Sequence, residues 1–212
     1  MRKRTIALIA ILTALLAACT EKTDYNTLLV RADSLMNLHP DSALHMLESI
    51  STDSLSTKAD RAYHALLLTQ ARDKNYMVQT DDSLIQVAVR YYDTHEDALL
   101  QARAYYYWGC VYRDMKKAEE AVTSFLTANI LAKKTKNIRL QSLICNNIGY
   151  LYYAQDLNEQ ADSIYREAEQ MAVLLKDSLL QAEALSQQGM IRMEKGKSFY
   201  PKAEKLMLQA LY

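Results

Sequence analysis

A chain of 212 residues with 25 basic and 25 acidic side chains carries no net charge at neutral pH. This balance argues against nucleic-acid binding, because nucleic-acid-binding proteins present a clearly basic surface. Four Gly and two Pro supply too little turn chemistry for a β-sheet protein, and three Cys are too few for a disulfide-stapled scaffold.

The first eighteen residues predict an export signal. Arg2, Lys3 and Arg4 precede an uncharged apolar run over 5–16, which is shorter than the roughly twenty residues of a membrane-spanning helix. The segment ends in Leu-Ala-Ala-Cys at 16–19, which resembles the lipobox of bacterial lipoproteins. The resemblance implies cleavage after 1–18 and lipidation of Cys19, so that acyl chains hold an exported protein at the cell envelope, at the outer membrane or its periplasmic face.

Two imperfect helical units follow a short tether over 19–23. The apolar pattern predicts an atypical hairpin within 24–57, with helices over 24–37 and 41–50. They are separated at His39-Pro40 because the residue before Pro disfavours helical backbone. A degenerate unit, 58–95, has predicted helices over 58–74 and 81–92. Its second helix begins at Thr80, Asp81 and Asp82, which are capping residues with negative charge near a helix N-terminus.

Glycines then recur at a spacing of forty residues, at Gly109, Gly149 and Gly189. Around the first two, matching residue types stand at equal offsets: Tyr105, Trp108, Tyr112, Ala121, Phe125 and Ala128, then Cys145, Ile148, Tyr152, Ala161, Tyr165 and Ala168. The pattern resembles the tetratricopeptide repeat (TPR), in which each unit is a hairpin of two helices. We expect each Gly to lie where the two helices cross, opposite the Ala twelve residues later. The two aromatic positions are expected to pack between hairpins.

Three repeat units are therefore predicted over 96–135, 136–175 and 176–212. Their helices are expected over 96–115, 118–134, 137–155, 158–175, 177–195 and 201–212. The third unit is weaker, since Gln188 and Arg192 replace the apolar residue and the Tyr that flank Gly in the others. The predicted fold is all-α, a right-handed α-solenoid of antiparallel helix hairpins with a period of about forty residues.

The TPR resemblance also implies a binding groove, because the first helices of TPR units line a concave surface that holds peptides. The candidate groove residues are Arg103, Tyr106, Arg113, Asn146, Tyr150 and Tyr153. Tyrosine pairs apolar area with a polar tip and suits interfaces. Asn146 and Asn147 are candidates for hydrogen bonds to a peptide backbone. For the three tyrosines, the alternative is ordinary packing between units.

The sequence predicts no catalysis, metal site or cofactor. The four His are scattered, and no phosphate-binding loop or nucleophile motif occurs. Cys110 and Cys145 are predicted to be buried thiols rather than a disulfide. We expect a protein- or peptide-binding scaffold at a membrane. One alternative is the input domain of a longer envelope signalling or transcription regulator, because the pattern at 208–212 is still apolar and helical and is expected to continue or to be covered by a partner. Another is a lipoprotein that binds glycans or other small ligands.

Overall fold

A computed structural model describes residues 26–194, and every regular element in that range is helical. This confirms the all-α prediction. The signal segment, the tether with Cys19, and the predicted helix over 201–212 lie outside the described residues. The α-helices are α1 (Thr27–Leu35), α2 (Pro40–Glu48), α3 (Lys58–Lys74), α4 (Ser83–Tyr92), α5 (Ala98–Asp114), α6 (Ala118–Lys134), α7 (Ile138–Tyr153), α8 (Asn158–Leu175) and α9 (Ser178–Glu194), with one 3₁₀ turn at Thr52–Ser54.

Side-chain caps set several helix starts. The carboxylate of Asp97 accepts the backbone N–H of Leu100 at 2.9 Å, and Asn137 accepts that of Leu140 at 2.9 Å. Helices α5 and α7 therefore begin one residue after their capping residues, slightly later than predicted. At α4 the predicted capping residue does not form a capping hydrogen bond. Asp82 is the N-cap but forms no capping hydrogen bond, because its carboxylate instead accepts the indole N–H of Trp108 at 2.9 Å.

The helix ends repeat one turn geometry. Five residues other than Gly have φ between 54° and 60°, spaced by 40, 20, 20 and 20 positions: Tyr76, Lys116, Lys136, Asp156 and Lys176. In each case the next residue donates its N–H to the carbonyl five positions earlier, as from Asn137 to Ala132 at 3.0 Å. This is the Schellman motif, which satisfies the free carbonyls at a helix end. From α5 onward, each helix with its turn occupies twenty residues.

The helices pack in chain order. Each helix contacts the next one, and α3, α5, α7 and α9 form a second series of contacts. The main apolar core runs from Leu29 on α1 to Leu151 on α7, and two smaller clusters continue it through α8 and α9. Among the described helices, none is long and apolar enough to cross a membrane.

The glycine contacts differ from the prediction in their partner. A Cβ on Gly109 would lie 2.5 Å from Cε1 of Phe125, and one on Gly149 would lie 2.7 Å from Cε1 of Tyr165. The rings of Phe125 and Tyr165 therefore lie against the glycines within one helix pair, rather than between pairs. Phe125 and Tyr165 stand one helical turn beyond the predicted partners, Ala121 and Ala161, and a ring fills the space that a side chain at Gly would take.

The remaining repeat positions are mostly buried. Ala121, Ala128, Ala161 and Ala168 have no exposed surface. Tyr112 and Tyr152 are only half-buried and pack against the edge of the main core. The Tyr112 ring stacks on Trp108, with ring centroids 5.3 Å apart. At Gly189, no described atom lies within 4 Å of the position that its Cβ would occupy.

Candidate functional site

The six predicted groove residues fall into two groups with different surroundings. Arg103, Tyr106 and Arg113 lie on α5, where side chains of neighbouring helices engage them. Asn146, Tyr150 and Tyr153 lie on α7, at spacings of four and three residues that place them on one helical face. We call these three residues the α7 face.

Arg103 is largely buried and is engaged by side chains of α1 and α3. Its Nη2 lies 2.6 Å from Oδ1 of Asp33 on α1, and Nη2 also donates to Oε1 of Gln70 on α3 at 2.6 Å. Tyr63 donates its hydroxyl to the same Asp33 carboxylate at 2.7 Å. Burial would raise the pKa of Asp33, but the hydrogen bonds from Arg103 and Tyr63 and the Arg103 charge hold that pKa below its usual range. The prediction that Arg103 faces an open groove is therefore wrong.

Arg113 is also engaged internally. Its guanidinium contacts Asp73 and Asp114, each at 2.9 Å, and donates to Oδ1 of Asn147 at 2.6 Å. Asn147 in turn donates its amide N–H to the hydroxyl of Tyr106 at 3.1 Å. This network links α3, α5 and α7, so Arg113 and Asn147 are positioned as structural groups and do not form an open binding surface.

Tyr106 is a core residue. It is only 5% exposed, and its ring meets Tyr107 edge-on with centroids 4.8 Å apart. Burial raises the pKa of its hydroxyl well above the usual value. The predicted groove exposure of Tyr106 is wrong, and the alternative, ordinary packing, is confirmed for this residue.

The α7 face has a different character. Tyr150 is 47% exposed, and Tyr153 is half-buried. Asn146 is 6% exposed, and neither its amide oxygen nor its amide nitrogen has a hydrogen-bond partner within the described part of the chain. Buried amide groups are normally paired, and leaving one unpaired costs about 1–3 kcal/mol. Asn146 is therefore a buried amide without a described hydrogen-bond partner, one helical turn from the exposed ring of Tyr150.

A second unpaired polar group lies near the α7 face. The hydroxyl of Tyr165 on α8 is buried, and no described group hydrogen-bonds to it. Burial raises its pKa, and interactions with Glu183, Tyr150 and Tyr153 raise it further. The ring of Tyr165 lies against Gly149, on the same helix as the α7 face. Of the six predicted groove residues, all of which are described, Tyr150 alone is exposed.

The cysteines behave as predicted. Cys110 and Cys145 are both free thiols and buried. Burial raises the pKa of Cys145 to about 12 and that of Cys110 also well above its usual value. Both side chains therefore stay protonated and inert at neutral pH. Among the described residues, no cluster of His, Cys, Asp or Glu is arranged to hold a metal ion.

Sequence reasoning missed the acidic partners Asp33 and Asp73. These two residues and Arg113 are each forty positions apart, so the repeat spacing itself carried a signal for them. This repeat position is acidic at Asp73 and basic at Arg113, so the two side chains can pair between neighbouring units.

Comparisons with known proteins define the fold and leave the family open. No protein-family model matches the chain, and no curated protein matches it. The chain is similar to a solved structure described as "Crystal structure of BtubC (BKLC) from P. vanneervenii", with a TM-score of 0.57 and 16% sequence identity. The similarity covers 88% of this chain and 73% of that one. At this identity the likeness shows a shared fold alone.

Proposed function

We propose that the chain is a membrane-anchored scaffold of TPR-type hairpins that binds a protein or peptide partner on the α7 face and catalyses no reaction. The observation that carries the proposal is Tyr150. Its ring is 47% exposed and lies one helical turn from Asn146 on the α7 face.

The TPR-type solenoid is supported by regularities of different origin. Glycines recur every forty residues in the sequence, left-handed turn residues recur every twenty from Lys116 to Lys176, and an aromatic ring covers both Gly109 and Gly149. A repeat of two helices and two turns accounts for all of these features. Stacked hairpins of this kind present one helix of each pair on an extended surface, which is the usual binding surface of repeat proteins.

Peptide binding follows from the chemistry of the α7 face. Tyr150 supplies a large apolar surface with few rotatable bonds, and aromatic anchors of this kind dominate binding energy at interfaces. Because the α5 positions are occupied by internal contacts, we place the partner on the C-terminal side of the stack.

The membrane anchor is supported by the basic, apolar and Leu-Ala-Ala-Cys order of 1–19. Intact-mass analysis and membrane fractionation of a Cys19→Ala variant test it. We expect a mature N-terminus at an acylated Cys19 and loss of the variant from membranes. A variant that stays membrane-bound as the wild type does, together with a mature N-terminus other than Cys19, would contradict the anchor.

Binding is tested by selecting ligands from a displayed peptide library with the mature protein and titrating the selected peptides. Tyr150→Ser and Tyr153→Ser should each weaken binding by about tenfold or more, which corresponds to about 1.4 kcal/mol. The matched control is Ile130→Ser, because Ile130 is 60% exposed and belongs to a different helix, α6. Full binding by both α7 variants, or equal loss in the control, would contradict the proposed site. An oligosaccharide panel titrated in the same way distinguishes a glycan-binding protein.

A further inference from the structure

We propose that the outer face of α1 rests on the lipid surface to which Cys19 anchors the chain, so that the helical stack stands on the membrane by its N-terminal end. This inference rests on the proposed lipidation of Cys19. The face comprises Val30 and Arg31 on α1, with Leu38 in the turn that follows. We call these three residues the α1 face.

The α1 face carries two exposed apolar side chains. Val30 is 51% exposed and Leu38 is 80% exposed. The opposite side of α1 is buried through Leu29, Ala32 and Met36, and the helix packs on α2 and α3. Exposed apolar side chains suit the boundary between lipid headgroups and acyl chains.

The charged side chains of α1 lie on the sides of the helix that contact with a lipid surface requires. The single acidic residue of α1, Asp33, is turned inward and held by Arg103 at 2.6 Å. The outward side carries Arg31, together with Thr27, Val30 and Ser34. A helix that lies in a membrane interface places basic residues beside its apolar ones, because anionic headgroups attract them. The inward pairing of Asp33 leaves this side of α1 without an acidic group.

The length of the tether brings this face to the membrane. Six residues, 20–25, separate Cys19 from Asn26, the N-cap of α1. A fully extended chain spans at most about 3.6 Å per residue, so Cys19 and Asn26 lie within roughly 25 Å of each other. A protein lipidated at Cys19 therefore keeps α1 close to the headgroups, while the later units extend farther along the chain. Proximity raises the local concentration of lipid at the α1 face, which favours even weak contact.

Other exposed apolar residues lack such an argument. Tyr76, Met77 and Val78, in the turn between α3 and α4, are 95%, 44% and 73% exposed, but no described feature indicates what would cover them. Their exposure makes position 76 a useful control, since a probe there samples solvent exposure without the short connection to the anchor.

The test uses the full lipidated protein in vesicles of phosphatidylethanolamine and phosphatidylglycerol. An environment-sensitive fluorophore is attached at Leu38→Cys, at Val30→Cys or, as the control, at Tyr76→Cys, while the buried thiols stay unlabelled under native conditions. Lipids with a nitroxide near the headgroup quench probes at the interface. We expect a blue shift and at least twofold stronger quenching at positions 30 and 38 than at 76, and we expect Arg31→Glu to at least halve the quenching at 38.

The outcomes separate the two proposals. Fractionation of the wild type against Cys19→Ala reports the anchor, whereas quenching in the anchored protein reports the α1 face. An anchored protein in which positions 30 and 38 are quenched no more than 76 overturns the inference and leaves the proposed anchor intact. A wild type that is not lipidated overturns both. Circular dichroism of each labelled variant verifies that the helices remain folded.

Discussion

The guanidinium of Arg103 contacts the carboxylate of Asp33, seventy positions earlier in the chain, with a shortest N–O distance of 2.6 Å. The pair joins α1 to α5 across α3, and Gln70 and Tyr63 of α3 complete the hydrogen bonding. The N-terminal hairpin is thereby tied to the first clear repeat unit by more than apolar packing.

Removal of the Asp33 charge should therefore destabilise the fold. Asp33→Asn leaves the partly buried Arg103 without a counter-charge, and we expect a loss of about 1–3 kcal/mol in the free energy of unfolding at pH 7. Because the folded-state pKa of Asp33 is lowered, the stabilisation is present above the unfolded value of about 4 and is lost as pH falls through the folded value. Urea denaturation from pH 7 down to pH 3 should show the wild type and the variant converging in acid.

The control for this ion pair is an ion pair on the surface. Arg166 and Asp162 form an ion pair at i,i+4 on α8, where the Arg166 side chain is 58% exposed. Surface pairs of this type contribute roughly 0–1 kcal/mol, so Arg166→Met should change stability little. A difference between wild type and Asp33→Asn that is constant with pH would show that the charge of Asp33 is not the cause.

The glycine contacts make a second prediction. Gly109→Ala and Gly149→Ala place a methyl group 2.5 and 2.7 Å from a buried ring, which forces the ring or the helix to move. Overpacking of this kind costs about 1–3 kcal/mol and should outweigh the gain in helix propensity of about 1 kcal/mol. Thermal denaturation should show a lower melting temperature for both variants.

Two further variants sharpen this prediction. Phe125→Leu alone sets the baseline for the double variant Gly109→Ala/Phe125→Leu. Gly109→Ala should cost less when Phe125 is replaced by Leu, since the smaller side chain leaves room for the methyl group. If Gly109→Ala costs the same stability in the Phe125→Leu background as in the wild type, Phe125 is not the source of the strain.

Two tyrosines should separate stability from binding. Tyr106 is 5% exposed and Tyr150 is 47% exposed. Tyr106→Ser removes a buried ring and should cost about 3–5 kcal/mol, whereas Tyr150→Ser should stay within about 0.5 kcal/mol of wild type. Guanidinium denaturation of both variants measures the difference. A Tyr150→Ser variant that unfolds as easily as Tyr106→Ser would assign Tyr150 to the core and remove it from the proposed site.

The turn geometry predicts a stabilising substitution. Lys136 has φ of 54°, a left-handed conformation that costs a residue with a Cβ roughly 1–2 kcal/mol. Lys136→Gly should relieve this strain and raise stability by about 0.5–1 kcal/mol after the entropy cost of Gly. The same change at Lys133, in the last turn of α6, should lower stability, because Gly weakens a helix. Opposite signs for two substitutions three residues apart would be difficult to explain without the turn.

Local patterns predicted the helices well and the groove poorly. The bounds of α3, α6 and α8 match the predicted ones, because apolar period and capping residues act within a few positions. Exposure depends on other units. Tyr106 and Asn146 occupy equivalent repeat positions and are both buried, whereas Cys110 is buried and its equivalent, Tyr150, is exposed. The repeat offset identifies which side of a helix a residue lies on, but the neighbouring helices decide how far that side is covered.

Partners distant in sequence explain the remaining errors. Nothing near Arg103 in the chain shows that Asp33 neutralises it, and nothing near Gly109 shows whether Ala121 or Phe125 approaches it. Both answers require the relative placement of whole helices, which the sequence period does not contain.

The even spacing of the left-handed turn residues has a consequence for how such a chain can change in length. Lys116 and Asp156 share one backbone conformation and stand forty positions apart. Excision or duplication of a block such as 117–156 would therefore join chain ends that already have matching geometry, and the flanking helices would meet the surfaces that they are shaped to meet. A gain or loss inside a helix would instead shift the buried positions of that helix relative to its neighbours. Whole hairpins are thus the natural unit by which this protein can lengthen or shorten.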